Sequence, residues 1–259
     1  MLEEKKLILR DWLEEQVTIY NHRRFIEDDP IQIPHQFTKL QDIEIIGFWT
    51  AILAWGQRPV IIQKAKELVA LMDGAPHDFM VNHQEKDRKR WLSFKHRTFN
   101  ADDTLYFLTF FQQYYQNNPS LESAFLTSQP SDSMTTGLSK FHTLFFDSPL
   151  AMQRTKKHVS SPTKGSTCKR LNMFLRWMVR QDACGVDFGI WKRIQPSQLM
   201  IPLDVHVDRV ARSLGLIERK QTDWLTVEEL TQQLRQFDAE DPVKYDFALF
   251  GNGVAKKLI

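Results

Sequence analysis

With 259 residues, 34 Lys and Arg against 32 Asp and Glu, and 42% hydrophobic residues, the chain has the balance of a protein that folds around its own core, which excludes a disordered or low-complexity chain. Its two cysteines, Cys168 and Cys184, exclude a disulfide framework and any four-cysteine iron–sulfur or zinc site. The opening MLEEKKLILRDWLEEQ interleaves charges with an apolar stripe instead of the continuous run of a signal peptide, and no stretch approaches the roughly 18 apolar residues that span a bilayer. The sequence therefore reads as a cytoplasmic protein with no membrane partner.

The periodicity is helical nearly throughout, without alternating polar and apolar runs bounded by hairpin turns. Leu2, Leu7, Leu9, Trp12, Leu13 and Val17 predict an opening amphipathic helix. The stretch from Ile43 to Trp55 is apolar on most sides, so a helix there is expected to be buried on most sides. Pro59 suits the first turn of a partner helix that runs to Met72 and stops at Asp73 and Gly74, before Pro76. Ala101 to Tyr115, dense in Phe and Tyr, predicts another largely buried helix. Residues 117–135, richer in Ser, Thr, Asn, Gln and Pro, read as loops around a short helix and as the joint between lobes.

Further along, Asp204 stands where an N-cap would, and Gly215 closes that helix in a left-handed conformation. Thr226 with Glu229 makes a capping box for a helix to Phe237, and Asp241–Pro242 opens a last helix that Gly251 ends. The sum is an all-α protein of about a dozen helices. It forms one unit over residues 1–259, or two lobes made of 1–40 with 200–259 and of 41–199.

Charge singles out one stretch. No acidic residue lies between Asp147 and Asp182, while Arg154, Lys156, Lys157, Lys164, Lys169, Arg170, Arg176 and Arg180 fall within residues 151–180. A polyanion is the natural partner of such a segment. In GSTCKRLNMFLRWMVR, Leu171, Phe174, Leu175 and Met178 supply an inward stripe, which puts Lys169 in the first turns of a helix. Backbone amides there favour phosphate and disfavour a further positive charge, and a neutral amine is a nucleophile. The plain alternative is a solvated lysine. Asp204 reads as an N-cap, but the apolar Ile201, Pro202, Leu203 and Val205 around it suit a carboxylate that faces a partly desolvated cavity and stabilises a developing cation.

Residues 86–99, KDRKRWLSFKHRTF, interleave basic residues with Trp91, Phe94 and Phe99, which fits either single-stranded nucleotides or an amphipathic element with a solvated face. Trp177 and Trp191 suit either stacking on an extruded base or the core. His158 and His206 lack companions at zinc-site spacing, so neither metal nor other cofactor is expected.

These phrases resemble the helix-hairpin-helix DNA glycosylase superfamily, which includes endonuclease III and the archaeal 8-oxoguanine glycosylases. The resemblance rests on IIGFWTAILAWGQRPVIIQKAKELVALM, with Gln57 at the turn, on KGSTCKRLNMFLRWM, with Lys169, and on LDVHVDRVARSLGL, with Asp204, His206 and Arg209. It covers residues 43 to 215. The phrases KRLNMFLRWMVR and PLDVHV are also similar to those of a bacterial family whose activity is uncharacterised. The chain departs from the superfamily in three places. Gly165 is the single glycine between Lys164 and Lys169, Lys169 and Asp204 stand 35 residues apart, and the four-cysteine loop is absent. Residues 181–200 look like an insertion that shapes the pocket.

The resemblance implies two helical lobes with a cleft between them, and a DNA base-excision glycosylase with abasic-site lyase activity on damaged duplex. Lys169 would form a Schiff base with the sugar, and Asp204 would stabilise positive charge at C1′ and help deprotonate the lysine. Gln57 would fill the vacated stack, with Arg58, Lys156, Lys157, Lys164, Gly165, Arg170 and His206 on the DNA. An oxidised purine is the first substrate expected by analogy. Two other readings are open at this point: a nucleic-acid-binding protein without catalysis, and a helical scaffold for a protein partner.

Overall fold

The computed structural model describes residues 2–128 and 132–255, without the side chains of Leu2 and Glu3. The apolar role expected of Leu2, and residues 129–131 of the expected joint, lie outside the described residues. Among those residues are twelve α-helices and no strand. They are α1 (Leu2–Tyr20), α2 (Arg24–Glu27), α3 (Leu40–Leu53), α4 (Arg58–Leu71), α5 (Pro76–Asn82), α6 (Ala101–Tyr115), α7 (Glu122–Phe125), α8 (Thr135–Phe145), α9 (Lys169–Val179), α10 (Val205–Ser213), α11 (Trp224–Arg235) and α12 (Tyr245–Ala255). The extended pairing among them is an isolated bridge between His96 and Phe99. No helix in the described residues is long and apolar enough to cross a membrane.

The chain forms two compact units. The first comprises Met1–Phe25, Ser128–Thr136 and Ser161–Ile259, and the second Ile26–Thr127 and Gly137–Ser160. Two of the crossings thus fall at the ends of residues 128–136, within and just beyond the segment that the composition marks as a joint.

The second unit is built around α3. Because α3 is apolar on most sides, Ile45, Ile46, Phe48, Trp49, Ala51 and Leu53 are all fully buried. Rings of α6 and α8 close on it edge to face, with Phe111 and Phe141 centred 5.3 and 5.5 Å from Phe48. The buried Glu44 on the same helix accepts bonds from the Tyr115 hydroxyl (3.0 Å), the Ser120 hydroxyl (2.5 Å) and the Leu121 amide (3.1 Å), so both of its oxygens have donors. At the start of α6, Asn100 and Asp103 form a capping box. Asp103 is fully buried and also receives Arg154 (2.7 Å) and the Thr155 hydroxyl (2.7 Å), with His158 Nε2 at 3.3 Å.

The basic and aromatic stretch 86–99 belongs to this core. Trp91, Phe94 and Phe99 are buried to 1% exposure or less. Arg90 grips both carboxylate oxygens of Asp73 at 2.7 Å, and Arg88 donates to His83, Thr109 and Gln112. Its aromatics are therefore packing groups with no face left for nucleotides, and two of its arginines fasten neighbouring segments.

In the first unit, α1 and α10 pack on α12. Two expectations fail here for steric and capping reasons. The cap of α11 is Asp223, whose carboxylate accepts from the Thr226 amide at 3.1 Å. Thr226 lies inside the helix and donates to the Gln221 carbonyl, while Glu229 accepts from the Glu218 amide. Nor does Gly251 end α12, which runs through it to Ala255. The glycine is there because a Cβ would stand 2.3 Å from the Tyr20 ring.

Burial raises the Asp103 carboxyl, but the close approach of His158 and bonds from Thr155 and Asn100 outweigh it and hold the group at about 2, below its ordinary 3.8. A depressed carboxylate contributes stability above its unfolded pKa and loses it as pH falls through the folded one. Stability of about 2 kcal/mol should therefore disappear between pH 3.8 and about 2. Asp103→Asn should lower stability by about 3 kcal/mol at neutral pH, since it strips a buried partner from Arg154, and should lack that acid limb in urea unfolding followed by circular dichroism.

Candidate functional site

The site lies in the first unit, where the starts of α9 and α10 meet the later turns of α12. Leu171, Phe174, Leu175 and Met178 are buried to 1% or less and seat α9 in the core. That registration leaves Lys169, its first residue, half-buried at the edge. Cys168 precedes it with φ 49° and caps nothing with its side chain, so the chain enters α9 through a left-handed residue. Asp204 is the N-cap of α10, as its position predicts. One carboxylate oxygen, Oδ1, accepts from the amides of His206 (2.8 Å) and Val207 (3.0 Å). The other, Oδ2, stands 3.7 Å from Lys169 Nζ, and the two side chains are 23% and 19% exposed. The distance makes this an ion pair rather than a direct hydrogen bond, and the partial exposure leaves a reactant access to both groups.

On α9, Lys169, Met173 and Arg176 share a face, and Lys169 Nζ lies 3.7 Å from the Met173 sulfur. Across from them, the Phe250 ring of α12 is centred 6.0 Å from Nζ. One turn earlier Asp246, buried, takes a hydrogen bond from Arg176, which also bonds Asp187 at 3.2 Å. Burial pushes the Asp246 carboxyl up to about 6 against the pull of Arg176; Asp204 adds to the rise and Lys169 opposes it. Asp246 and Phe250 were not singled out by the sequence. An acidic residue in a helix's first turn reads as ordinary dipole compensation, and only the spacing of four between the two hinted at a shared face.

Arg180, at the end of α9, bonds Asp182, Asp187 and Asp241 at 2.7, 3.2 and 2.8 Å. The segment 181–200 wraps this end of the helix. The Phe188 and Trp191 amides donate to the carbonyls of Trp177 (2.8 Å) and Met178 (2.9 Å), which supplies partners the helix end lacks.

Several expected DNA contacts are committed elsewhere. Of the basic stretch, Arg154, Arg176 and Arg180 are spent on carboxylates. His206 Nδ1 lies 3.2 Å from the Gly253 carbonyl, which also accepts from Arg209 at 2.5 Å, so the residue expected on DNA fastens α10 to the end of α12. Trp177 and Trp191 are 0% and 2% exposed, and Phe174 meets Trp191 edge-on. Both indoles are core, with no face for a base. Lys164 and Gly165 remain exposed on a turn in which Gly165 takes φ 71° and its carbonyl accepts from the Trp224 amide. Arg170 is half-buried beside Lys169.

In the second unit, Lys157 is exposed and Lys156 half-buried. Gln57 is the exposed N-cap residue of α4 and makes no side-chain cap bond, with Arg58 half-buried after it. Just before it, Gly56 takes φ 110° against the Arg97 side chain, whose guanidinium lies 4.8 Å over the Trp55 ring. No group of three or more His, Cys, Asp or Glu side chains among the described residues is placed to hold a metal ion.

Residues 29–255 match the family described as "Protein of unknown function (DUF2400)", and the chain belongs to that family. Comparison with the curated proteins and with the solved structures gives no match.

The two oxygens of Asp204 divide capping from charge, so two substitutions separate them. Asp204→Ala should lower stability by about 1 kcal/mol in urea unfolding, whereas Asp204→Asn, which keeps a capping oxygen, should leave it within a few tenths.

Proposed function

We propose that this DUF2400 protein is a DNA base-excision repair glycosylase with abasic-site lyase activity, with Lys169 as nucleophile and Asp204 as its electrostatic partner. The observation that carries the reading is the 3.7 Å approach of Lys169 Nζ to the uncapped oxygen of Asp204 at a partly exposed edge. A lysine and a carboxylate brought together from positions 35 residues apart, each at a helix start, form the pair that amine attack on a sugar carbon needs. The resemblance of the two phrases that hold them to the helix-hairpin-helix glycosylases supports the same chemistry.

The steps follow from the two groups. A damaged nucleotide leaves the stack at a cost of a few kcal/mol. As the C1′–N bond breaks and its electron pair departs with the base, positive charge grows on the sugar, and the Asp204 carboxylate stabilises it. Lys169 gives a proton to Asp204, and the lone pair so freed forms the bond to C1′. Opening of the C1′–O4′ bond, with a proton taken up by O4′, leaves a cationic Schiff base. Loss of a C2′ proton then expels the 3′ phosphate and nicks the strand. Lys164 and Arg170, on the turn and helix start that lead into and past Lys169, supply positive charge for the phosphates. An oxidised purine is the first substrate to try.

Incubation with an abasic duplex and borohydride tests the reading, because hydride reduces the Schiff base to a permanent amine. The wild type should give a covalent band, Lys169→Gln none, and Asp204→Asn should trap on the order of 100-fold more slowly with its fold intact. A wild type that binds duplex in a salt-sensitive manner yet gives no band would overturn the lysine mechanism and indicate a nucleic-acid-binding protein without this chemistry.

A further inference from the structure

Asp246 takes no part in the steps above, yet it is a buried carboxylate at the base of the same seam. The shared face of α9 and that of α12 meet in opposite directions. Lys169 approaches Phe250 at one end, while at the other Arg176 bonds Asp246 and lies 4.4 Å from the Phe247 ring. Met173, between Lys169 and Arg176 on α9, and Phe250, one turn beyond Asp246 on α12, line the seam, and such apolar side chains screen a field far less than water does.

We propose that Asp246 is a positioning residue of the Lys169–Asp204 site, acting through its charge to stabilise the cationic Schiff base at Lys169. The inference rests on the lysine chemistry proposed above. Arg176 holds the carboxylate in place and keeps Asp187 as a second partner, so protonation of Asp246 leaves the guanidinium paired. The groups that act on Asp246 come from each neighbouring element. They are Arg176 and Lys169 of α9, with Arg180 5.4 Å from the adjacent Phe247 ring, Asp187 by way of Arg176, and Asp204 of α10. His206 stands against Phe250, and Glu14 of α1 binds Lys244 and Tyr245 next door.

With its carboxyl raised to about 6, Asp246 gains its charge as pH rises through that value. Above it the iminium at Lys169 has a second anion behind Asp204; below it that support is withdrawn.

The trapping yield of the wild type divided by that of Asp246→Asn should therefore rise several-fold as pH passes upward through 6 and then level off. Asp246→Glu should keep the rise. A purely structural role gives a flat ratio. A second measurement needs neither DNA nor a folded Asp246 variant: carbon-13 aspartate titration of the wild type, Lys169→Gln and Asp204→Asn. Removing the lysine charge should move the Asp246 midpoint up, and removing the Asp204 charge should move it down. No trapping by the wild type overturns the lysine chemistry, and the coupling is then read from the midpoints alone. Wild-type trapping with a flat ratio, or midpoints unmoved in both variants, overturns the role of Asp246.

Discussion

Two guanidinium groups in the interior of the first unit set the terms for everything built around them. Arg176 and Arg180 are 4% and 3% exposed, and no cation can be held at that depth without anions delivered to it. Four carboxylates do so: Asp182 and Asp187 from the segment after α9, Asp241 from the approach to α12, and Asp246 from its first turn. Phe247 lies under both cations, 4.4 and 5.4 Å from their centres. Each bond pulls a later piece of chain onto the far end of α9. The helix is thereby held in one register, which sets the lysine at its head within 3.7 Å of Asp204.

This arrangement explains what the sequence disclosed and what it withheld. The stretch without acids suggested a surface for a polyanion, because it holds no countercharges of its own. They come instead from residues up to 70 positions away, as between Arg176 and Asp246, and a run of charge says nothing about contacts over that span. Elements that depend on local chemistry were legible. Asp204 caps its helix, Gly215 takes φ 70°, and the apolar run of α3 is buried all round. Where a tertiary contact overrides the local signal, the reading failed. Gly251 looked like a helix end, but it is a contact surface for Tyr20, and Thr226 looked like a cap although Asp223 is better placed.

The candidate site was legible to the extent that its members are helix starts. Lys169 and Asp204 announced themselves through the pattern of the helices they open. Asp246 and Phe250 did not, since their importance lies in which face of α9 they meet. For Trp177 and Trp191 the sequence left stacking on a base and the core both open, and 0% and 2% exposure decides for the core.

The glycines of α12 carry one more implication. At Gly253 a Cβ would lie 2.8 Å from that of His206 and 2.9 Å from its carbonyl oxygen, so α10 starts against bare helix backbone there. The same backbone carbonyl then binds both His206 and Arg209. Position 253 is consequently tied to the placement of α10. A side chain there would meet the Cβ and backbone of residue 206, which a change of side chain at 206 leaves in place, so the start of α10 would have to move, and with it the acid that caps it. The geometry of the acid thus depends on a position that only a hydrogen atom occupies.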